Sequence, residues 1–236
     1  MHILKAKTLG EAYEARTGNA DALYLSGGSE VLRKGGRAGE ETLVIDLTDL
    51  LSGGISKEGD MLVVGALASF QDLVEAPDAP SWLRKAAHGM ASLSLRMQAT
   101  VGGQIASLRD DSYLIPALLA AGSRVRVWGK EGGHELMLLD YVRRGGCDCI
   151  ITHVVIPCTA RVALKRIARF SSSHSALSIA LASDGGCHAA VKGSGYAHSR
   201  GALETMEYVD DITGSAAYKR YIALECADIL AKEVDA

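Results

Sequence analysis

Apolar and polar positions along this chain repeat with two different periods, and the predicted elements follow from which period holds where. Thr8-Leu-Gly-Glu11 has capping-box spacing, and Leu9, Ala12 and Tyr13 then share one helical face. The short apolar run Ala22-Leu-Tyr-Leu25 predicts a strand that stops at Ser26-Gly27-Gly28. A helical piece over residues 29–34, a glycine-rich loop and the strand Leu43-Val-Ile-Asp-Leu47 are expected next. Residues 53–65 predict a hairpin, with Gly59-Asp60 at its turn. Helical patterns cover 70–74 and 82–90, and a further helix over 110–121 tolerates Pro116 only in its first turn. Arg124-Val-Arg-Val-Trp128 alternates as a half-buried strand does, then turns at Lys130-Glu-Gly-Gly133 into His134-Glu-Leu-Met137.

Arg143-Arg-Gly-Gly-Cys147 is the best candidate boundary, which divides the chain into residues 1–146 and 147–236. Beyond it, strands are expected at 150–156, 163–170 and 187–191, while 176–182 fits either a helix or a strand. Gly214-Ser215 opens a last amphipathic helix with Tyr218, Ile222, Cys226 and Ile229 down one side. Strands and helices in this order give an α+β fold rather than a doubly wound parallel sheet.

Composition narrows the partners. The 236 residues are 48% hydrophobic and 22% charged, as in an ordinary globular protein able to bury a core without staples. Net charge is −3, and the densest basic patch, Arg33, Lys34 and Arg37, is broken by glycines, so no nucleic-acid partner is expected. No membrane-length apolar run and no secretory signal are visible, and the cytoplasm is the expected compartment. Five cysteines are an odd number without a disulfide framework. Cys147, Cys149 and Cys158 lie close together, but without a Cys-x-x-Cys pair or a fourth ligand they do not suit an iron–sulfur cluster. Buried structural thiols are expected.

Seven Gly-Gly dipeptides occur, and most must be plain turns. Gly27-Gly28 and Gly102-Gly103 differ in context. The first follows a buried strand and precedes a helical pattern; the second follows a threonine and leads towards another helix. Such turns gather backbone N–H groups around one point and remove the side chains that would block an anion. Gly193-Ser-Gly195 opens like a dinucleotide fingerprint, but His198 occupies the third glycine's place. His134-Glu135 has Leu138 where a zincin needs its second histidine, and Ser171-Ser-Ser-His174 is expected to be a polar strand end.

Taken in order, these pieces resemble the FAD-binding middle subunit of the xanthine dehydrogenase and carbon monoxide dehydrogenase family. Leu25-Ser-Gly-Gly-Ser-Glu-Val-Leu32 resembles the first flavin loop, and Leu43-Val-Ile-Asp-Leu47 the strand after it. Leu62-Val-Val-Gly-Ala-Leu-Ala-Ser69 is similar to the family's apolar Ile-Gly-Ala segment. Arg96-Met-Gln-Ala-Thr-Val-Gly-Gly-Gln-Ile-Ala106 resembles the second flavin loop, Pro116-Ala-Leu-Leu-Ala the following helix, and Gly214-Ser-Ala-Ala-Tyr-Lys-Arg220 the opening of the last helix. Tyr113 departs from the family's aspartate, which leaves Asp110 or Asp111 to take its place at the ribose. In Leu164-Lys-Arg-Ile-Ala-Arg169, a leucine replaces the family's tyrosine and Arg166 its lysine.

The resemblance implies a two-lobed FAD-binding domain (lobes 1–57 and 58–146) followed by a smaller C-terminal α/β domain, with non-covalent FAD between them. It implies that Leu25, Ser26, Gly27, Gly28, Ser29, Glu30 and Val31 meet the cofactor from one side. Thr100, Val101, Gly102, Gly103 and Gln104 would meet it from the other, with Asp110 and Arg166 completing the set. The implied partners are an iron–sulfur subunit and a molybdopterin-containing large subunit, with an external acceptor or donor such as NAD(P). The flavin would carry the redox chemistry and this chain would hold and orient it. Two other expectations stand beside this one: a structural subunit of the same complex that has lost its flavin, and a free-standing nucleotide-binding module.

Overall fold

A computed structural model describes residues 1–33, 39–90, 92–170 and 173–234. Strand β1 (His2–Lys5), helix α1 (Leu9–Thr17), β2 (Leu23–Leu25) and β3 (Leu43–Asp46) build a three-stranded sheet, order β1-β3-β2, in which both pairs are parallel. The Thr8 hydroxyl accepts from Glu11 N at 3.1 Å and the Glu11 carboxylate reaches back to Lys7 N at 2.7 Å, so α1 starts where the capping spacing places it. Residues 29–33 form a turn, closed by Leu32 N donating to Gly28 O at 2.9 Å, rather than the expected helix. Lys34 and Arg37 of the basic patch lie outside the described residues.

Strands β4 (Ile55–Glu58) and β5 (Met61–Gly65) form the expected hairpin, with Gly59 at φ 60° in the turn. Five helices follow: α2 (Phe70–Glu75), α3 (Ser81–His88), α4 (Leu93–Gln98), α5 (Val101–Ser107) and α6 (Leu114–Ala120). Ser69 and Asp72 complete a capping box at α2. Pro116 does lie in the first turn of α6, and the Ser112 hydroxyl accepts from Ile115 N at 3.1 Å beside it. The chain then runs through β6 (Arg124–Gly129), β7 (Gly132–Met137), α7 (Leu138–Arg143) and β8 (Ile150–Pro157).

Strand β8 inserts between β5 and β6, giving a five-stranded antiparallel sheet of order β4-β5-β8-β6-β7. The expected division at 146/147 would cut β8 from both strands it pairs with. A lobe boundary at 57/58 would likewise cut the β4–β5 hairpin. The glycine pair that suggested the first boundary closes α7: Gly145 and Gly146 have φ of 74° and 94°, and their N–H groups bond Val142 O and Tyr141 O.

The last part is a four-stranded antiparallel sheet, β9 (Val162–Ile167), β10 (Leu177–Ala182), β11 (Cys187–Val191) and β12 (Gly195–Ala197), with α8 (Arg200–Thr205) and α9 (Ala216–Val234). Leu177, Ile179 and Leu181 face the core shared with α9, whereas Ala180 and Ala182 join the core that contains α6. Both faces of β10 are covered, which is why residues 176–182 carry no readable period. On α9, Ile222 and Cys226 are buried as expected, but Tyr218 and Ile229 are exposed. Lys219, Ala223 and Leu230 share the buried side instead.

Candidate functional site

A cavity of about 430 Å³ opens where the end of β2, the start of α5, the start of β8, Arg166 and residues 173–175 converge. Ser26, Gly27, Gly28, Ser29, Glu30, Val31, Thr100, Gly102, Gly103, Gln104 and Arg166 all line it. Leu25, Val101 and Asp110 do not. Leu25 pairs with Asp46 inside the parallel sheet, and Val101 is fully buried in the central core. Asp110 is occupied elsewhere: its carboxylate accepts from Lys192 Nζ and from Gly193 N, both at 2.7 Å. Together with the Tyr196 hydroxyl on Arg109 O at 2.6 Å, it fastens the segment before α6 to the β11–β12 turn.

The two glycine loops meet, but they do different things. Gly27 approaches the 98–100 backbone so closely that a Cβ there would stand 1.9 Å from Gln98 O. Ser26 Oγ and Thr100 Oγ1 bond across the junction at 3.0 Å. Among the described residues, the backbone N–H groups of Gly27, Gly28, Ser29, Glu30 and Val31 have no acceptor within the protein. Gly28, at φ 72°, gives this loop its left-handed step.

The second loop is committed internally. Val101 N donates to Ala68 O and Gly102 N to Ala66 O, both at 2.9 Å; Gly103 N donates to Thr100 Oγ1 at 3.1 Å and Gln104 N to Thr100 O at 2.9 Å. The expectation that both loops present backbone donors is therefore corrected. Residues 101–104 form the first turn of a helix whose N–H groups are already satisfied, and Gly102 is there because a Cβ would meet Ala66 Cβ at 2.6 Å. Unspent capacity on this side belongs to a side chain. Gln104 is 8% exposed and its Nε2 has no hydrogen-bond partner, although the residue lines the cavity. The Tyr24 hydroxyl is a second orphan on the lining, and burial pushes its pKa up to about 12.

A chain of charges closes one wall. Arg109 holds Asp111 through two bonds, at 2.9 and 2.8 Å, and Glu30 at 2.8 Å, and His174 Nδ1 contacts the same Asp111 carboxylate. Burial alone would raise the Asp111 pKa, but the paired Arg109 guanidinium and His174 outweigh it and hold the group at about 2. Burial likewise acts to raise Glu30, yet Arg33 and Arg109 bring it below the ordinary value, so its charge is compensated on a loop with free donors. Arg166 donates to Ser175 Oγ at 2.7 Å and to Ser173 O, and burial lowers its pKa. Sequence reading named Asp111 only as an alternative to Asp110 at the ribose, took His174 for a strand end and missed Arg109; the contacts of Arg109 with Glu30 and of His174 with Asp111 span 79 and 63 residues and leave no local signal. Ser171 and Ser172 of the same motif lie outside the described residues. Tyr113 and Leu164 are core residues that do not line the cavity, so the departures there do not change its wall.

The expectation of five structural thiols also needs correcting. Cys147 is exposed and Cys149 half-buried, with Cα atoms 5.3 Å apart, and both line the cavity rather than packing as buried thiols. Cys187 and Cys226 are buried free thiols and Cys158 is a half-buried one.

A family model described as the FAD binding domain in molybdopterin dehydrogenase matches residues 1–159. The chain belongs to that family. This FAD-binding chain is 28% identical over 221 residues to YgfM of Escherichia coli strain K12, described as an uncharacterized protein; the match covers 86% of this chain and 83% of the relative. Its fold is that of a carbon monoxide dehydrogenase chain from Hydrogenophaga pseudoflava, with a TM-score of 0.82 at 19% identity over 98% of this chain and 96% of the other. A chain of quinoline 2-oxidoreductase from Pseudomonas putida 86 gives a TM-score of 0.80 at 15% identity over 99% and 96%. The matched segment ends just beyond β8, so it includes the strand that completes the five-stranded sheet.

FAD is the cofactor of the family, and the cavity suits it on its own evidence. Backbone N–H groups gathered in one loop without protein acceptors suit an anion such as a pyrophosphate, and an unpartnered buried amide is costly unless a ligand satisfies it. The close approach at Gly27 fixes the donor loop against the second loop.

Proposed function

We propose that this chain is the FAD-carrying electron-transfer subunit of a multi-subunit molybdenum hydroxylase of the xanthine dehydrogenase type. The row of unspent N–H groups from Gly27 to Val31, facing a cavity with an orphaned Gln104 amide, carries this reading within a family that binds FAD. In it, Gly27 to Val31 hold the pyrophosphate, with the Ser29 hydroxyl as an added donor. The Gln104 amide and the Tyr24 hydroxyl donate to polar atoms of the cofactor, and Arg166 supplies a cation on the far wall. The bound flavin supplies one- and two-electron chemistry; the chain's residues bind it, orient it and exclude water around it.

Electrons reach the site from an iron–sulfur subunit fed by a molybdopterin-containing large subunit and leave to an acceptor such as NAD(P). Substrate chemistry belongs to the partner chains, and the assembly works in the cytoplasm. A stable association requires roughly 1,200–2,000 Å² of buried surface. The reading divides the chain after β8 rather than at 146/147.

Protein purified under native conditions from its source is expected to co-migrate with two further subunits, contain iron and molybdenum, and release FAD when denatured. Flavin-free intact complex would overturn the reading in favour of the structural-subunit alternative. A monomer that turns over substrate alone would overturn both.

A further inference from the structure

We propose that helix α4 is the surface on which the iron–sulfur subunit docks, with Leu93, Leu95 and Met97 as the apolar centre of the contact and Arg84 and Lys85 on its margin. The proposal rests on the electron-transfer reading above, but its evidence is the outer surface beside the cavity.

Helix α4 is built inside out. Short helices are held in place by burying an apolar stripe, yet among the described residues α4 alone of the helices buries none of its side chains. Leu93, Leu95 and Met97 are 52, 36 and 66% exposed. The half-buried side chain is the charged one. Arg96 donates to Gln71 Oε1 at 3.2 Å and to the carbonyls of His88 and Met90 at 3.5 and 3.4 Å, which ties α4 to α2 and to the end of α3. The Ser92 hydroxyl accepts from Leu95 N at 3.3 Å and caps the first turn. Polar bonds therefore hold this helix, and its large apolar side chains are left for another surface. Exposed apolar residues gathered in one place, rather than scattered singly, mark an interaction site.

Position and charge fix the occupant. Leu95 and Met90 also line the cavity, and the chain leaving α4 presents Gln98 O to the close approach of Gly27. Whatever covers α4 stands against the wall of the cofactor cavity, where an electron donor to a flavin has to stand. Residues 79–108 include Arg84, Lys85 and Arg96 and no aspartate or glutamate, in a chain of net charge −3. Arg84 and His88 are exposed one turn apart on α3, beside the Arg96 contact. The acidic residues of neighbouring α2, Asp72 and Glu75, border a separate hollow with Gly53 and Ile55. A basic margin around an apolar centre suits a partner that is negative where it faces the flavin, and a cluster held by cysteine thiolates supplies that charge. With six residues, α4 has too little apolar area for a lipid surface, whose hold scales with that area.

The test uses the native complex, purified from its source through a tag on this chain, with iron, molybdenum, released FAD and native mass measured together. In the Leu93→Asp, Met97→Asp chain, neither altered residue lines the cavity. FAD content is expected to stay at the wild-type level while co-purified iron falls roughly tenfold or more. Leu93→Ala, Met97→Ala is the milder pair in case the aspartates disturb folding, and it should lower retained iron in the same direction. Arg84→Glu should lose the subunit more readily at low salt than at high salt, since reversed charges repel least when screened. Tyr221→Ser, on the exposed side of α9, is the control and should keep both iron and FAD. Wild-type iron in both Leu93/Met97 pairs would overturn the proposal, as would loss of molybdenum with the iron–sulfur subunit retained. Variants that keep their iron but lose self-association, or lose binding to phosphatidylglycerol vesicles, would assign the face to a second copy or to lipid and overturn it too. Wild-type protein with neither FAD nor iron would overturn the electron-transfer reading and the proposal with it, whereas FAD and iron in the wild type beside unaltered variants overturns the proposal alone.

Discussion

Replacing Gly27 with alanine tests whether the close approach of the two loops is what positions the donors. The new Cβ would stand 1.9 Å from Gln98 O, 3.0 Å from its carbonyl carbon and 3.1 Å from Thr100 Cγ2. A carbon–oxygen contact settles near 3.3 Å, so one backbone must withdraw by roughly 1.4 Å. Neither can rotate out of the way, because the obstacle is main chain. Overpacking of this kind costs about 1–3 kcal/mol. If the loop carries that displacement, FAD affinity falls roughly five- to a hundredfold, at about 1.4 kcal/mol per tenfold. Gly103→Ala is the matched control. Its Cβ would meet only the Thr100 hydroxyl at 2.8 Å and the Ser26 hydroxyl at 3.1 Å, side-chain ends whose displacement loosens a cap bond but moves no main chain. Flavin fluorescence titration of the two purified variants, with urea melts of the flavin-free forms, should therefore rank Gly27→Ala well below Gly103→Ala. Wild-type affinity in Gly27→Ala, or the reverse ranking, would refute the argument.

Three further outcomes are expected. Gln104→Leu removes an unpartnered buried amide, so the flavin-free chain should be no less stable in urea while FAD affinity drops roughly tenfold; destabilisation with unchanged affinity would mean the amide is spoken for inside the protein. Asp111 is held at about 2 against an ordinary 3.8, so its stabilisation is complete above about pH 4 and is lost as pH falls through 2. Asp111→Asn should remove about 2 kcal/mol of the acid-induced change between those values, and an unaltered pH slope would contradict this. Lys219, fully buried on α9, donates to Lys192 O, Val209 O and Asp211 at 2.7, 2.9 and 2.9 Å, so Lys219→Met should cost about 3–5 kcal/mol in a urea melt, and a neutral result would show the network to be dispensable.

What the sequence disclosed was local. Capping at Thr8, the Gly59 turn and the proline of α6 are short-range chemistry and stand where spacing puts them. The two glycine loops were legible because small residues beside apolar runs mark close approach, yet their division of labour was not. Whether an N–H is free depends on carbonyls such as Ala66 O and Ala68 O, more than thirty residues upstream in the chain. Helix α5 was overlooked because paired glycines lower helix propensity, a penalty here overridden by packing against Ala66. Strand β8 read correctly as a strand but on the wrong side of a boundary, since a turn signal says where the chain bends and nothing about which sheet receives it.

All seven residues of α6 are buried, with β10 and β11 on one side and α3 on the other. A helix with no face left for water belongs to both halves of the molecule at once, and parting the halves would strip one of its sides bare. The molecule is therefore not a clamshell. FAD therefore meets a cavity whose walls are already braced against one another, rather than two halves that close upon it.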